Sequence, residues 1–352
     1  MKRLFLFTAL MCITSAAFGQ QSLFDRYKAV LTEPRSYDCF RAVDKITIDG
    51  NLDEKSWARA QSSEAFVDIR GEGYPVPSKS TTVKMLWDDD YLYIAATLIE
   101  NNIVANLTQR DTIIYYDNDF EVFIDPDGDG IRYFEFENNA RGVLFDLMLE
   151  KPYRSNGSFF IPWDCKGWQL AVGLNGTLNK EDDVDNSWTV EMAIPFDALT
   201  YNFDNPKKYS TWRINFSRVQ HLVKGEPEEN WVWSPTGRVD MHMPDRWGFL
   251  HFLNAPVGAR MKSAGPTLDM NAYKLLWAMF YAQLDNQKEK GEFFRTVDAF
   301  ALTDTELTSI GKESQIRVEA TSSQFIIEIA LPEKGQYYRV DHDGKFTIGD
   351  LK

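Results

Sequence analysis

Glu135 and Glu137 stand two residues apart in Arg132–Glu137, an apolar run that reads as a strand. Alternation puts both carboxylates on one face, about 7 Å apart along the chain. Glu121, in the run Asp119–Asp125, can join them from a neighbouring strand. Carboxylates grouped this way can accept hydrogen bonds from sugar hydroxyls. They could also serve as the acid and base of a glycosidase, since this separation suits an inverting mechanism. Spacing alone does not mark a catalytic pair, so binding is the expected role.

A second acidic group is Asp125-Pro126-Asp127-Gly128-Asp129-Gly130. Asp125, Asp127 and Asp129 alternate round a glycine bend and could wrap one calcium ion, which takes several oxygen ligands. The position for an EF-hand's distal bidentate glutamate falls on Phe136, so no EF-hand is expected. The competing reading is a bare hairpin turn, which Asp-Gly pairs favour.

Aromatic side chains are abundant: 10 Trp, 15 Tyr and 24 Phe. A ring covers the apolar C–H face of a sugar, while carboxylates and amides bind its hydroxylated rim. Tyr115, Tyr116, Trp163, Trp233 and Trp247 are the candidate rings. Glu121, Glu135, Glu137, Asn139 and Arg141 are the candidate rim. Trp57, Trp87, Trp188 and Trp212 sit inside β-type apolar runs and read as packing. Trp231 and Trp233 share a face by strand alternation, either in the core or at the site.

These residues need a scaffold, and the pattern from about 45 to 253 is β. Apolar runs closed by turn residues recur at Thr82–Trp87, Tyr91–Leu98, Asp119–Asp125, Arg132–Glu137, Gly142–Leu149, Trp168–Leu174, Trp188–Pro195, Thr211–Val219 and Trp247–Phe252. Ile46–Asp49 is a short further candidate. Helices are brief, at Asp53–Ala60 and Pro195–Leu199. About ten strands with few helices predict a mainly β fold, an antiparallel β-sandwich of immunoglobulin or jelly-roll-like architecture.

Lys2 and Arg3 precede an apolar run from Leu4 to Ala17 and the small-residue site Ala17-Phe18-Gly19. That is the pattern of a signal peptide over 1–19, implying an exported protein, periplasmic or extracellular. Residues 20–38 read as a lead-in, 39–253 as the sandwich and 254–265 as a linker. Residues 266–352 read as a small α+β appendage, a helix over 267–290 followed by a β-hairpin. The helix is expected to dock on its own unit or on the sandwich; a protein partner is the alternative.

A formal charge of −14 argues against nucleic acid. No long apolar span follows the N-terminal run. Cys39 and Cys165 could form one bridge or remain packed thiols. The four histidines, at 221, 242, 251 and 342, have no zinc spacing, and no serine-hydrolase elbow, phosphate loop or dinucleotide fingerprint occurs.

Several segments combine into a resemblance. Ile46-Thr47-Ile48-Asp49-Gly50-Asn51-Leu52-Asp53-Glu54 leads to Trp57, then Leu86-Trp87-Asp88-Asp89-Asp90-Tyr91-Leu92-Tyr93-Ile94 and Asp119-Phe120-Glu121-Val122-Phe123-Ile124-Asp125 follow. Trp188–Pro195 and Trp247-Gly248-Phe249 complete the order. This resembles the family 9 carbohydrate-binding modules, the longer exported family 9-like proteins with a DOMON-type sandwich, over roughly residues 40–253. The resemblance implies a non-catalytic sandwich that clamps a sugar between two aromatic rings and uses calcium structurally. One clamp position falls on Tyr115, or on Tyr116 with a one-residue shift; the other falls near Met241-His242, which adds His242 to the candidates. Glu121 matches the family's strand glutamate. The family's Arg and Asn positions fall near Glu135 and Glu137, so this site is more acidic than the family pattern. The expected ligand is an oligo- or polysaccharide, and the expected role is to assist polysaccharide degradation. The alternatives are a glycoside hydrolase using Glu135, Glu137 and Glu121, and a structural or partner-binding envelope protein.

Overall fold

The computed structural model describes residues 21–199, 211–222, 226–265 and 268–351. The proposed leader therefore lies outside the described residues. Seventeen strands and four α-helices are formed among the described residues. The sandwich strands are β1 (Ser36–Arg41), β2 (Val67–Asp68), β3 (Thr81–Trp87), β4 (Tyr91–Ile99), β5 (Asp119–Asp125), β6 (Tyr133–Asn139), β7 (Leu144–Leu149), β8 (Phe159–Phe160), β9 (Gln169–Asn175), β10 (Ser187–Pro195), β11 (Thr211–Gln220), β12 (Glu229–Val232) and β13 (Gly248–Pro256). The C-terminal strands are β14 (Gln315–Ala320), β15 (Phe325–Leu331), β16 (Gln336–Asp341) and β17 (Phe346–Asp350). The helices are α1 (Leu23–Arg26), α2 (Lys55–Arg59), α3 (Met270–Lys290) and α4 (Asp304–Ser309).

The sandwich is one hydrogen-bonded path folded onto itself, β8-β7-β6-β5-β11-β13-β1-β3-β4-β10-β9, with β12 and β2 branching from β11. Pairing is antiparallel except at β1, which runs parallel to both β13 and β3. Inner-face residues from both halves, including Val83, Ile94, Phe120, Val122, Phe134, Phe136, Val190 and Phe216, share one core. Trp57, Trp87, Trp188 and Trp212 are all buried, as strand packing requires. Cys39 and Cys165 are buried free thiols.

The predicted strand at Ile46–Asp49 does not form. The segment instead wraps the buried Glu191 carboxylate. Asp49 N and Gly50 N each donate to Oε2 at 3.0 Å, and Trp57 Nε1 donates to Oε1 at 2.8 Å. Gly50 has φ +85°, and a Cβ there would sit 2.7 Å from the Gly173 nitrogen. The glycine is needed for close approach as well as for the left-handed turn.

The C-terminal unit is an antiparallel sheet, β14-β15-β16-β17, under α3. Asp269 caps α3 through Asn271 N and Ala272 N, and Gly291 ends it in the left-handed region. The lead-in is built into this unit: Leu23, Tyr27, Val30 and Leu31 share its apolar core with α3. Twelve α3 residues are buried, on faces toward both the sheet and the lead-in. Polar bonds join the unit to the sandwich. Tyr273 and Tyr281 hydroxyls donate to the main-chain and side-chain oxygens of Asp245, and Phe346 N donates to Asp129 O at 2.8 Å.

Candidate functional site

Strand alternation sends Phe120, Val122 and Ile124 of β5 into the core, so Asp119, Glu121, Phe123 and Asp125 point outward. On β6, Phe134 and Phe136 point inward, and Tyr133, Glu135 and Glu137 outward. Glu121 lies directly opposite Glu137 across the β5–β6 pair, and Ser217 of β11 lies opposite Glu121 on its other side. The outer face is closed below by an apolar cluster of Ile114, Phe123, Tyr133, Phe145, Leu147 and Trp247.

Above this floor is a cleft of about 510 Å³. Glu121, Glu135 and Glu137 line its bottom. Tyr115, Tyr153, Phe159, Val239 and His242 line its walls, with Glu228 and Asp240 beside them. The wall rings are partly exposed, Tyr115 at 39% and Tyr153 at 43%, whereas the floor carboxylates are buried. The His242 ring meets Tyr153 edge-on, with centroids 4.4 Å apart, and its Nδ1 lies 3.1 Å from the Tyr133 hydroxyl. Burial lowers its pKa to about 3, so the ring is neutral at ordinary pH.

Five carboxyl groups and no Lys or Arg line this cleft among the described residues. Like charges directly opposite across a strand pair destabilise a sheet. Burial raises the Glu121 pKa from its ordinary 4.5 to about 7. Burial and the neighbouring carboxylates push Glu135 and Glu137 well above theirs.

A folded carboxyl with a raised pKa holds its proton at pH values where the unfolded chain has lost it. The folded state of metal-free protein therefore binds more protons between about pH 4.5 and 7. Stability should fall as pH rises through that window, and fall further above it as Glu135 and Glu137 lose their protons. Glu121→Gln is expected to remove its share of this penalty, about 3 kcal/mol at pH 8, with little change at pH 4. Urea unfolding of both proteins at the two pH values would check this.

Of the residues proposed from sequence, Tyr115, Glu121, Glu135, Glu137 and His242 come together in the cleft. Of the two tyrosines, Tyr115 lines the cleft; Tyr116 lies tilted against it, with centroids 4.8 Å apart, and lines a neighbouring polar groove. Five other candidates do not line the cleft, because alternation or a loop bond takes them away. Trp163 packs on the inner face against Phe134 and Phe136. Trp233 is fully buried in the core against Phe216. Asn139 is fully buried, bonding Leu107 O, Asp117 Oδ2, Arg141 N and Val143 N. Arg141 is committed to Ala105 O through Nε, away from the cleft. Trp247 lies under the floor, its Nε1 bonded to Met241 O and its ring edge-on to Tyr133. It supports the site without lining it.

Sequence reasoning missed Tyr153 and Phe159. Tyr153 sits in a 3₁₀ turn over Tyr153–Ser155, and Phe159 follows Asn156-Gly157-Ser158. The available signal was an aromatic group inside a turn-rich polar stretch, where no core can claim it.

The 125–129 loop lies at the far end of β5. Single oxygens of Asp125, Asp127 and Asp129 fall within 4.8 Å of one another. Asp125 spends both its oxygens, taking Gly128 N at 3.1 Å and Gly130 N at 2.8 Å. Lys345 Nζ lies 3.4 Å from Asp129. The loop is thus a satisfied turn whose remaining carboxylate oxygens converge closely enough for a cation.

Three comparisons bear on this arrangement. The model of a family described as carbohydrate family 9 binding domain-like matches residues 48–254. The chain is 26% identical over 153 residues to the exoglucanase XynX of Acetivibrio thermocellus, covering 44% of this chain and 12% of the relative. It is 27% identical over 154 residues to the endo-1,4-beta-xylanase A of Thermoanaerobacterium saccharolyticum, covering 44% and 11%. The match thus spans about a ninth of each relative's length. A solved structure from Bacteroides uniformis, of a protein proposed to bind carbohydrate, superposes with a TM-score of 0.50 at 18% identity, covering 62% of this chain and all of that one. At that identity the likeness shows the fold alone.

Proposed function

With that match across more than half its length, this chain belongs to the carbohydrate family 9 binding domain-like proteins, and we propose that its outer-face cleft binds a neutral saccharide without turning it over. The observation that carries this reading is the pairing of half-exposed rings with a buried carboxylate floor. Tyr115 and Tyr153 offer apolar faces to sugar C–H groups, and Glu121, Glu135 and Glu137 offer acceptors to hydroxyls. With no Lys or Arg lining the cleft among the described residues, uronic or sulfated saccharides would find no counter-charge there.

The floor geometry speaks against hydrolysis. Glycosidase carboxyls flank the scissile bond, whereas here all three rise from adjacent strands of one floor. The relatives' names make soluble β-1,4-glucans and xylans the first probes. Affinity electrophoresis should show retarded migration in at least one of them, with no reducing sugar released. Unretarded migration in every polysaccharide would remove the reading. The basic start and short apolar run before Gln20 support export to the periplasm or beyond, where such polymers are met.

We also propose that calcium binds the 125–129 loop and stiffens it against the C-terminal unit. The converging oxygens, and the burial and like-charge repulsion that raise the pKa values of Asp125 and Asp129, support a cation there. Asp125, Asp127 and Asp129 would hold it, and its contribution is charge neutralisation. Calcium should raise the melting temperature by several degrees in the wild type, an effect of about 1–2 kcal/mol. The rise should be much smaller in Asp127→Asn. Equal rises in both proteins would contradict the assignment.

A further inference from the structure

We propose that Asp119, Glu121 and Glu137 form a separate divalent-cation site in the floor of the cleft, filled by calcium, through which the bound saccharide is partly held. Three observations carry it. The three residues present oxygens within 4.8 Å of one another, and all three are buried. That span fits oxygens arranged round one calcium, whose bonds are about 2.4 Å long.

Asp119 supplies the second observation. It is fully buried, its Oδ1 accepts from Val219 N at 2.9 Å, and its Oδ2 has no hydrogen-bond partner. Buried polar atoms are nearly always satisfied, so an open carboxylate oxygen among other carboxylates calls for a ligand. Its neighbour Ser217, also fully buried, turns its hydroxyl to the Glu121 carboxyl. Glu137 is fixed in the same way as Asp119, its Oε2 accepting from Ile114 N at 3.0 Å. The backbone amides thus hold two of the carboxyls in place.

The third observation is that no Lys or Arg lines the cleft among the described residues. The Arg218 guanidinium feels the Asp119 charge but is bonded to Glu100 Oε2 at 2.9 Å. Two things can relieve three adjacent buried carboxylates: shared protons or a cation. An all-oxygen donor set is that of a hard ion. Three carboxylates also leave part of its coordination shell to water or to the hydroxyls of a ligand lying in the cleft. The ion's role toward the saccharide rests on the proposed function; ion binding does not.

The test is calorimetric titration of chelator-stripped protein with calcium chloride, in an Asp127→Asn background that disables the distal loop. One ion should bind per chain, and that binding should be lost on adding Asp119→Asn or Glu121→Gln. Two variants are made because Asp119 is fully buried and its replacement could unfold the chain; circular dichroism separates that case. No calcium binding, or binding retained in both folded variants, overturns the site. Saccharide affinity should fall at least about tenfold in chelator, a typical coupling between linked sites. Saccharide binding unchanged by chelator overturns the ion's role and leaves the saccharide reading standing. Calcium bound without any saccharide affinity does the reverse.

Discussion

Asp245→Ala is expected to cost the fold about 3–5 kcal/mol, the usual penalty for stranding one partner of a buried ion pair. Asp245 is buried, and its Oδ1 takes Arg154 Nη2 at 2.6 Å. The Arg154 side chain is only 12% exposed. Asp245 Oδ2 accepts from the Tyr281 hydroxyl, so one carboxylate ties the turn after β7 to helix α3. Removing it leaves the Arg154 charge buried beside aromatic rings and frees a phenol. Urea unfolding should show the loss, and a change below about 1 kcal/mol would mean that the pair is no anchor. The same residue follows the 240–242 segment that forms one wall of the cleft. The variant should therefore also weaken ligand binding without touching the ligand.

Tyr115→Ala and Tyr153→Ala are each expected to lower saccharide affinity by about 2 kcal/mol, or roughly 30-fold, as central aromatic anchors do. Both rings are partly exposed, so stability should change by no more than about 0.5 kcal/mol. Trp247→Ala provides the contrast. Its ring is buried under the floor, so the loss should appear in stability, about 3–5 kcal/mol. Calorimetry and urea unfolding on the three variants separate rings that touch ligand from the ring that props them. A stability loss in the tyrosine variants would contradict their placement at the rim.

The contrast also marks what could be read from the chain. Period-two alternation placed β3 to β7, β9 to β11 and β13 within a few residues, because each has one face against a shared core. It placed Glu121, Glu135 and Glu137 on one outer face for the same reason. The parallel strand β1 was not legible, since its partners β13 and β3 are remote in sequence and a six-residue segment has little pattern of its own. Ile46–Asp49 alternates like a strand, yet the Glu191 carboxylate takes its amides and Gly50 turns the chain. The aromatic candidates divided by burial. Trp163 and Trp233 carry the residue type of a sugar platform but face inward, and nothing local distinguishes an inward indole from an outward one. Tyr153 and Phe159 reach the cleft from turns and short strands, where periodicity has no purchase.

The most direct test of the account is a calorimetric titration of cello- and xylo-oligosaccharides into the wild type and into the Tyr115→Ala/Tyr153→Ala double variant. One site per chain with a dissociation constant of about 1 mM or tighter is expected in the wild type, and no measurable heat in the variant. Absence of wild-type binding to any oligosaccharide at that concentration, or equal binding by the variant, would contradict it.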